Sequence, residues 1–100
     1  MKYEIKRFKV SFELPEKINV EQSLQYWGVF SVAIHNSQMM FIKMWAVILK
    51  LGLISSWECE FFTLETPLDE VEDPRVAEVV MEVCNMVHSH LENLKAIEKN

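Results

Sequence analysis

From Met39 to Ile54 the chain reads MMFIKMWAVILKLGLI, thirteen apolar residues of sixteen, interrupted by Lys43, Lys50 and Gly52. Any fold of this chain must cover that segment, because water does not tolerate such a surface. Placed on a helix, Asn36, Lys43 and Lys50 fall seven apart and form one narrow polar stripe, with apolar residues on every other side. A surface helix carries a broad polar face, so this pattern predicts a helix buried on most sides. A membrane span needs about 20 apolar residues. Here Lys43 and Lys50 lie inside the run, and backward extension meets His35-Asn36-Ser37-Gln38. The segment is therefore read as a core helix from about Ser37 to Leu51, capped by Asn36 or Ser37 and stopped at Gly52.

A length of 100 residues, half of them apolar and only two of them Gly, predicts one compact domain spanning 1–100. Six Met and three Trp are many for that length. Met fills adaptable interfaces and Trp anchors them, so the composition favours a homo-oligomer or a protein partner. Charge is uneven. Residues 1–50 carry seven Lys/Arg and four Asp/Glu, net +3, and residues 51–100 carry three and eleven, net −8, which together give −5. This balance disfavours direct nucleic-acid binding, which needs clustered cations, and leaves a basic partner open. Cys59 and Cys84 make no disulfide framework, and no apolar segment follows Met1-Lys2-Tyr3-Glu4-Ile5-Lys6-Arg7 as a cleavable leader requires. A reducing, cytoplasmic setting is the expectation.

Elsewhere the pattern alternates between strand and helix. Residues 2–14 read as a strand, with Phe8, Val10, Phe12 and Leu14 on one face. Tyr3 and Ile5 have the opposite parity, which either a bulge near Lys6-Arg7 or a cover on the other side of the first residues would produce. Asn19, followed three residues later by Gln22, has the form of a capping box. Leu24, Trp27, Phe30 and Ile34 then follow at helical spacing, although Val29–Ile34 also has strand character and Gly28 weakens a helix. Residues 55–65 read as a second strand, with Glu58 and Glu60 placed to pair with Lys6, Arg7 or Lys9 across an antiparallel ladder. Asp73-Pro74 is the strongest local signal, an N-cap followed by Pro at the first helical position. From there Val76, Val80, Val83, Val87, His90, Leu94 and Ile97 step by alternating fours and threes along one long helix. The predicted fold is α+β in the order β-α-α-β-α, a small antiparallel sheet packed with three helices, the last of them long.

No stretch carries recognisable catalytic chemistry. With only Gly28 and Gly52, a phosphate-cradling loop has no material, and HExxH and GxSxG are absent. No cofactor motif is present. Cys84, His88 and Glu92 line up one turn apart, so Cys84 and His88 are weak metal candidates, but structural zinc needs four ligands. His88 and His90 point about 200° apart on a helix and cannot clasp one ion. His90 lies within the seam itself, where a polar group needs a partner and where protonation of the ring would weaken association. Between Glu58 and Glu82 stand nine carboxylates and one Arg. Glu58, Glu60, Asp69, Glu70, Glu72 and His90 are therefore the candidate interaction residues. The first function class is a non-enzymatic protein-interaction module (an adaptor, inhibitor or assembly factor, of a size and acidity that suit a phage or mobile-element regulator). The second is a small-ligand or enzymatic domain with an apolar pocket lined by Trp45, Trp57, His35 and Cys59.

Overall fold

The structure, a computed structural model, describes residues 1–98, with side chains as far as Lys95. Three strands, β1 (Lys2–Ile5), β2 (Val10–Glu13) and β3 (Ser55–Glu58), form one antiparallel sheet in the order β1-β2-β3. Three helices, α1 (Val20–Ala33), α2 (Met40–Lys50) and α3 (Pro74–Glu98), complete an α+β fold in the order β-β-α-α-β-α.

The extra strand comes from residues 2–14, which form a hairpin rather than one strand. Tyr3 lies opposite Phe12 and Ile5 opposite Val10. Residues directly opposite one another in a ladder share a face. Facing residues in this register sum to an odd number, so the buried face changes parity across the turn. The parity switch in the sequence is thus the mark of a chain reversal, not of a bulge. Lys6–Phe8 make one 3-10 turn and Lys9 closes it at φ 54°, in the left-handed region. Neither Gly nor Asn announces the turn, which hides it from a search for ordinary hairpin signals.

β3 is also shorter than the alternation suggests and ends at Glu58. Between the Ser11–Glu58 and Glu13–Ser55 pairs, β3 holds one residue more than β2, a bulge at which Ser56 adopts φ 52°. The expected pairing of Glu58 and Glu60 with Lys6, Arg7 or Lys9 is replaced by other contacts. Ser11 Oγ donates to Glu58 at 3.3 Å, Ser56 Oγ donates to Glu13 at 2.6 Å, and Arg7 pairs with Glu82 of α3 at 2.7 Å.

The helix ends follow local chemistry. Asn19 and Gln22 form the reciprocal capping box, with Gln22 N–H to Asn19 Oδ1 at 2.7 Å and Asn19 N–H to Gln22 Oε1 at 3.0 Å. Gln22 also donates its side-chain amide to the Leu51 carbonyl, which ties the start of α1 to the end of α2. α2 stops at Gly52 (φ 63°) in a Schellman arrangement: Gly52 N–H reaches Leu49 O at 3.1 Å and Leu53 N–H reaches Ile48 O at 3.2 Å. Its start is later than expected. Met39 holds the N-cap position without a side-chain cap, and Asn36 and Ser37 belong to the preceding turn. At α3, Asp73 accepts the Arg75 N–H at 3.0 Å and clasps the Arg75 guanidinium at 2.6 Å.

The buried residues form one cluster. α2 contributes Met44, Trp45, Val47 and Ile48, and α3 contributes Val76, Val79, Val80, Val83, Cys84, Val87 and Leu91. The seam of α3 is therefore spent inside the chain as far as His90, and Leu94 packs at its edge. Ile97, the last residue of that seam, lies outside the side chains described. Aromatic contacts join sheet to helix: Tyr3 stacks on Phe12 at 5.8 Å, Phe12 meets Trp57 at 6.0 Å, and Trp57 meets Trp45 of α2 at 6.2 Å. No helix among the described residues is long and apolar enough to cross a membrane.

Candidate interaction surface

The two histidines of α3 face different elements, and a tyrosine meets each. His90 is 4 % exposed. Its Nε2 lies 2.6 Å from the Pro15 carbonyl, which can only accept, so Nε2 carries the proton. Nδ1 is then the acceptor for the Tyr3 hydroxyl at 2.8 Å. Both ring nitrogens are satisfied, and the N-terminal hairpin is fastened to α3. His90 thus serves the chain's own core and does not lie on a surface for a partner.

His88 repeats the arrangement toward α1. Its Nε2 lies 3.1 Å from Glu92 Oε1 and its Nδ1 lies 2.9 Å from the Tyr26 hydroxyl. Nε2–H donates to the carboxylate, which can only accept, and Nδ1 faces the phenol. Trp27 and Phe30 enclose the imidazole at ring distances of 5.3 and 4.4 Å, and Lys95 lies over the Trp27 ring. Tyr26, His88 and Glu92 have the connectivity of a nucleophile, base and orienting group. Tyr26, however, is buried, and burial first, then the nearby Cys84 and Glu92, raises its pKa. A phenol held protonated and shielded cannot attack a substrate, so the chain Tyr26–His88–Glu92 acts as a clasp between α1 and α3.

Cys84 is buried, with its Sγ 3.9 Å from the Phe41 carbonyl of α2, and burial pushes its thiol up to about 12. With Cys84 turned to α2 and His88 engaged at both nitrogens, the metal candidates are committed elsewhere. Among the described residues no three His, Cys, Asp or Glu side chains gather as a metal site. Nor are Trp45, Trp57, His35 and Cys59 assembled into a pocket. Trp45 and Trp57 pack on one another and on Phe62, His35 is exposed in the turn between α1 and α2, and none of the four lines either large apolar groove.

The acidic candidates divide by position. Glu58 and Glu60 are exposed at the end of β3, and Glu60 lies close enough to Arg75 to favour its charge. Asp69 and Glu70 occupy the exposed 3-10 turn Leu68–Glu70, and Glu72 follows it. That turn forms one wall of a groove of about 420 Å³. Phe41 and Ile42 of α2 and Val80 and Met81 of α3 form the floor and far wall, and Leu68 and Val71 the near one. Ile42 and Met81 keep 55 % and 39 % of their surface exposed. Among the described residues Asp69, Glu70 and Glu72 make no ion pair, whereas Asp73 is engaged by Arg75, whose hydrogen bonds lower its pKa. The groove is thus apolar inside with uncompensated negative charge beside one wall. Sequence reasoning found the carboxylates but missed the groove, because the α2 and α3 residues that line it, Phe41 and Ile42 on one helix and Val80 and Met81 on the other, stand far apart in sequence.

No family model, curated protein or solved structure matches this chain.

Two predictions follow from the buried groups. Tyr3→Phe leaves Nδ1 of His90 without a donor in the core and lowers the urea unfolding free energy by about 1–3 kcal/mol. Tyr26→Phe likewise leaves Nδ1 of His88 without its donor and is expected to cost a similar amount. A neutral Tyr3→Phe contradicts the assignment. Because folding raises the Cys84 pKa above the ordinary thiol value of 9.0, its contribution is complete below that pH and is lost as pH rises toward about 12. Stability measured in urea declines over that window, less steeply in Cys84→Ala, while at neutral pH Cys59 alkylates and Cys84 does not.

Proposed function

We propose that this chain is a non-enzymatic protein-interaction module, an adaptor, inhibitor or assembly factor, and that its working surface is the acidic-rimmed groove between α2 and α3. The carrying observation is the juxtaposition of exposed Ile42 and Met81 with the unpaired carboxylates of Asp69, Glu70 and Glu72. Apolar side chains left in water beside a groove supply the attraction, and the one-signed rim selects the partner. The occupant that fits is a basic amphipathic segment, with apolar residues at helical spacing in the groove and Lys or Arg against residues 69–72. The two free thiols, Cys59 and Cys84, accord with a reducing, cytoplasmic setting for this role.

Panning a random peptide display library against the whole chain tests this. Selected peptides are expected to combine i, i+3/i+4, i+7 apolar spacing with net positive charge. Binding is expected to be lost in Met81→Glu, to weaken several-fold in Glu72→Lys, and to fall as salt is raised. Selection of neutral or acidic peptides, or binding unaffected by Met81→Glu, overturns the proposal.

A further inference from the structure

The sheet has two edges, and only one is guarded. β3 carries the bulge at Ser56, a device that turns an edge away from further pairing. β1, at the other edge, pairs with β2 without a register shift and contains neither Gly nor Pro. Its pairing with β2 fixes where its backbone points. Leu14 N–H donates to the Met1 carbonyl at 2.9 Å, and the Met1 ammonium donates to the Leu14 carbonyl at 2.8 Å. Bonded and non-bonded pairs alternate along an antiparallel ladder. Tyr3–Phe12 and Ile5–Val10 are then the bonded pairs, and Lys2 and Glu4 direct their N–H and C=O away from β2. The other side of β2 agrees, since β3 pairs with Ser11 and Glu13, the residues that β1 leaves free. Lys2 and Glu4 are exposed, and an open cleft of about 500 Å³ between Glu4 and Asn85 of α3 leaves the approach to this edge clear.

A row of outward N–H and C=O groups is a template for another strand. The side chains decide which strand. Lys2 and Glu4 are two residues apart and stand on one face of the sheet, with Glu13 beside Lys2 and Ser11 beside Glu4 on β2. Lys6 and Lys9 lie in the turn beyond the ladder, and Arg7 is engaged by Glu82. Among the described residues Lys2 and Glu4 make no ion pair. Run antiparallel against itself, Lys2-Tyr3-Glu4 sets Lys2 opposite Glu4 twice and joins the residues whose backbone groups point outward. Each row across the sheet then reads Glu13, Lys2, and Glu4 and Ser11 of the second copy. The registers two residues to either side set Lys2 against Lys2 or Glu4 against Glu4, and like charges directly opposite are destabilising.

We infer that β1 is a two-fold pairing edge, at which two copies join their sheets in the register Lys2 to Glu4. The order becomes β3-β2-β1-β1-β2-β3. Each Lys2–Glu4 pair exchanges two backbone hydrogen bonds and places an ammonium opposite a carboxylate. On the other face Tyr3, already stacked on Phe12, meets Tyr3 of the second copy. The same patch serves both copies, as a closed two-fold dimer requires.

Sedimentation equilibrium at micromolar to millimolar concentrations tests this. The wild-type chain is expected to dimerise reversibly, with protection of the Glu4 amide from hydrogen exchange rising with concentration. Lys2→Glu and Glu4→Lys, each with unchanged far-UV circular dichroism, are expected to weaken self-association about tenfold or more, since each reversal acts at both pairs. An equimolar mixture of the two variants is expected to dimerise again, because each chain then offers the charges the other needs. A wild-type monomer throughout, a dimer indifferent to both reversals, or variants that do not associate when mixed overturns the inference. Peptide binding at the acidic groove is read with Met81→Glu and shares no residue with this edge.

Discussion

Burial of the inner side of α2 is the constraint that the remaining elements satisfy. Met44, Trp45, Val47 and Ile48 are all buried on a helix of eleven residues. Each large apolar side chain removed from water contributes on the order of 1.5–3 kcal/mol. No single neighbour is wide enough to cover them. α1 lies along one side, α3 along another, and Trp57 of β3 reaches Trp45 from the sheet. The two ends of α2 are treated differently. Gly52 and the Gln22 amide fix its C-terminus, while its N-terminus begins after a turn without a side-chain cap. The firm end joins α2 to the sheet; the looser end borders the acidic-rimmed groove through Phe41 and Ile42.

α3 supplies the second organising device. Its apolar seam is not directional on its own, and a valine-rich stripe tolerates more than one docking angle. His88 and His90 remove that freedom. One ring is bound by Tyr26 of α1 and the other by Tyr3 of β1 and the Pro15 carbonyl. A buried polar group must be paired or it costs stability, so each clasp disfavours every arrangement in which the tyrosine is displaced. The polar residues that looked most like chemistry in the sequence thus fix the helices and the hairpin in place. Both clasps leave the outward faces of α1 and α2 uncovered.

Much of this was legible from residues alone where the signal is local. The Asn19–Gln22 box, Asp73-Pro74 and the Gly52 stop are short-range chemistry, and each does in the fold what its sequence suggests. The first hairpin was not legible as one, because Lys9 takes the left-handed turn position that Gly or Asn ordinarily marks, and the parity change admits a bulge as readily as a reversal. β3 carries a bulge at Ser56 and ends at Glu58, and nothing in Ser55-Ser56-Trp57 signals that bulge. The tyrosine–histidine pairs join residues 62 and 87 positions apart, a relation that no periodicity encodes. The acidic rim was visible as charge, but the apolar groove beside it exists only once α2 and α3 are packed together.

α2 is the element on whose burial the other elements depend, and native-state hydrogen exchange measures that most directly. Local openings release peripheral amides at low free energy, whereas amides of the central unit exchange only when the whole chain unfolds. The predicted result is that the amides of Trp45 to Leu49 in α2, together with Val83 to Val87 in α3, exchange only at the global unfolding free energy. The amides of α1, which buries just Tyr26 and Ala33, are predicted to exchange through smaller openings in the monomer. Exchange of Trp45 to Leu49 through an opening easier than that of α1 would contradict the account.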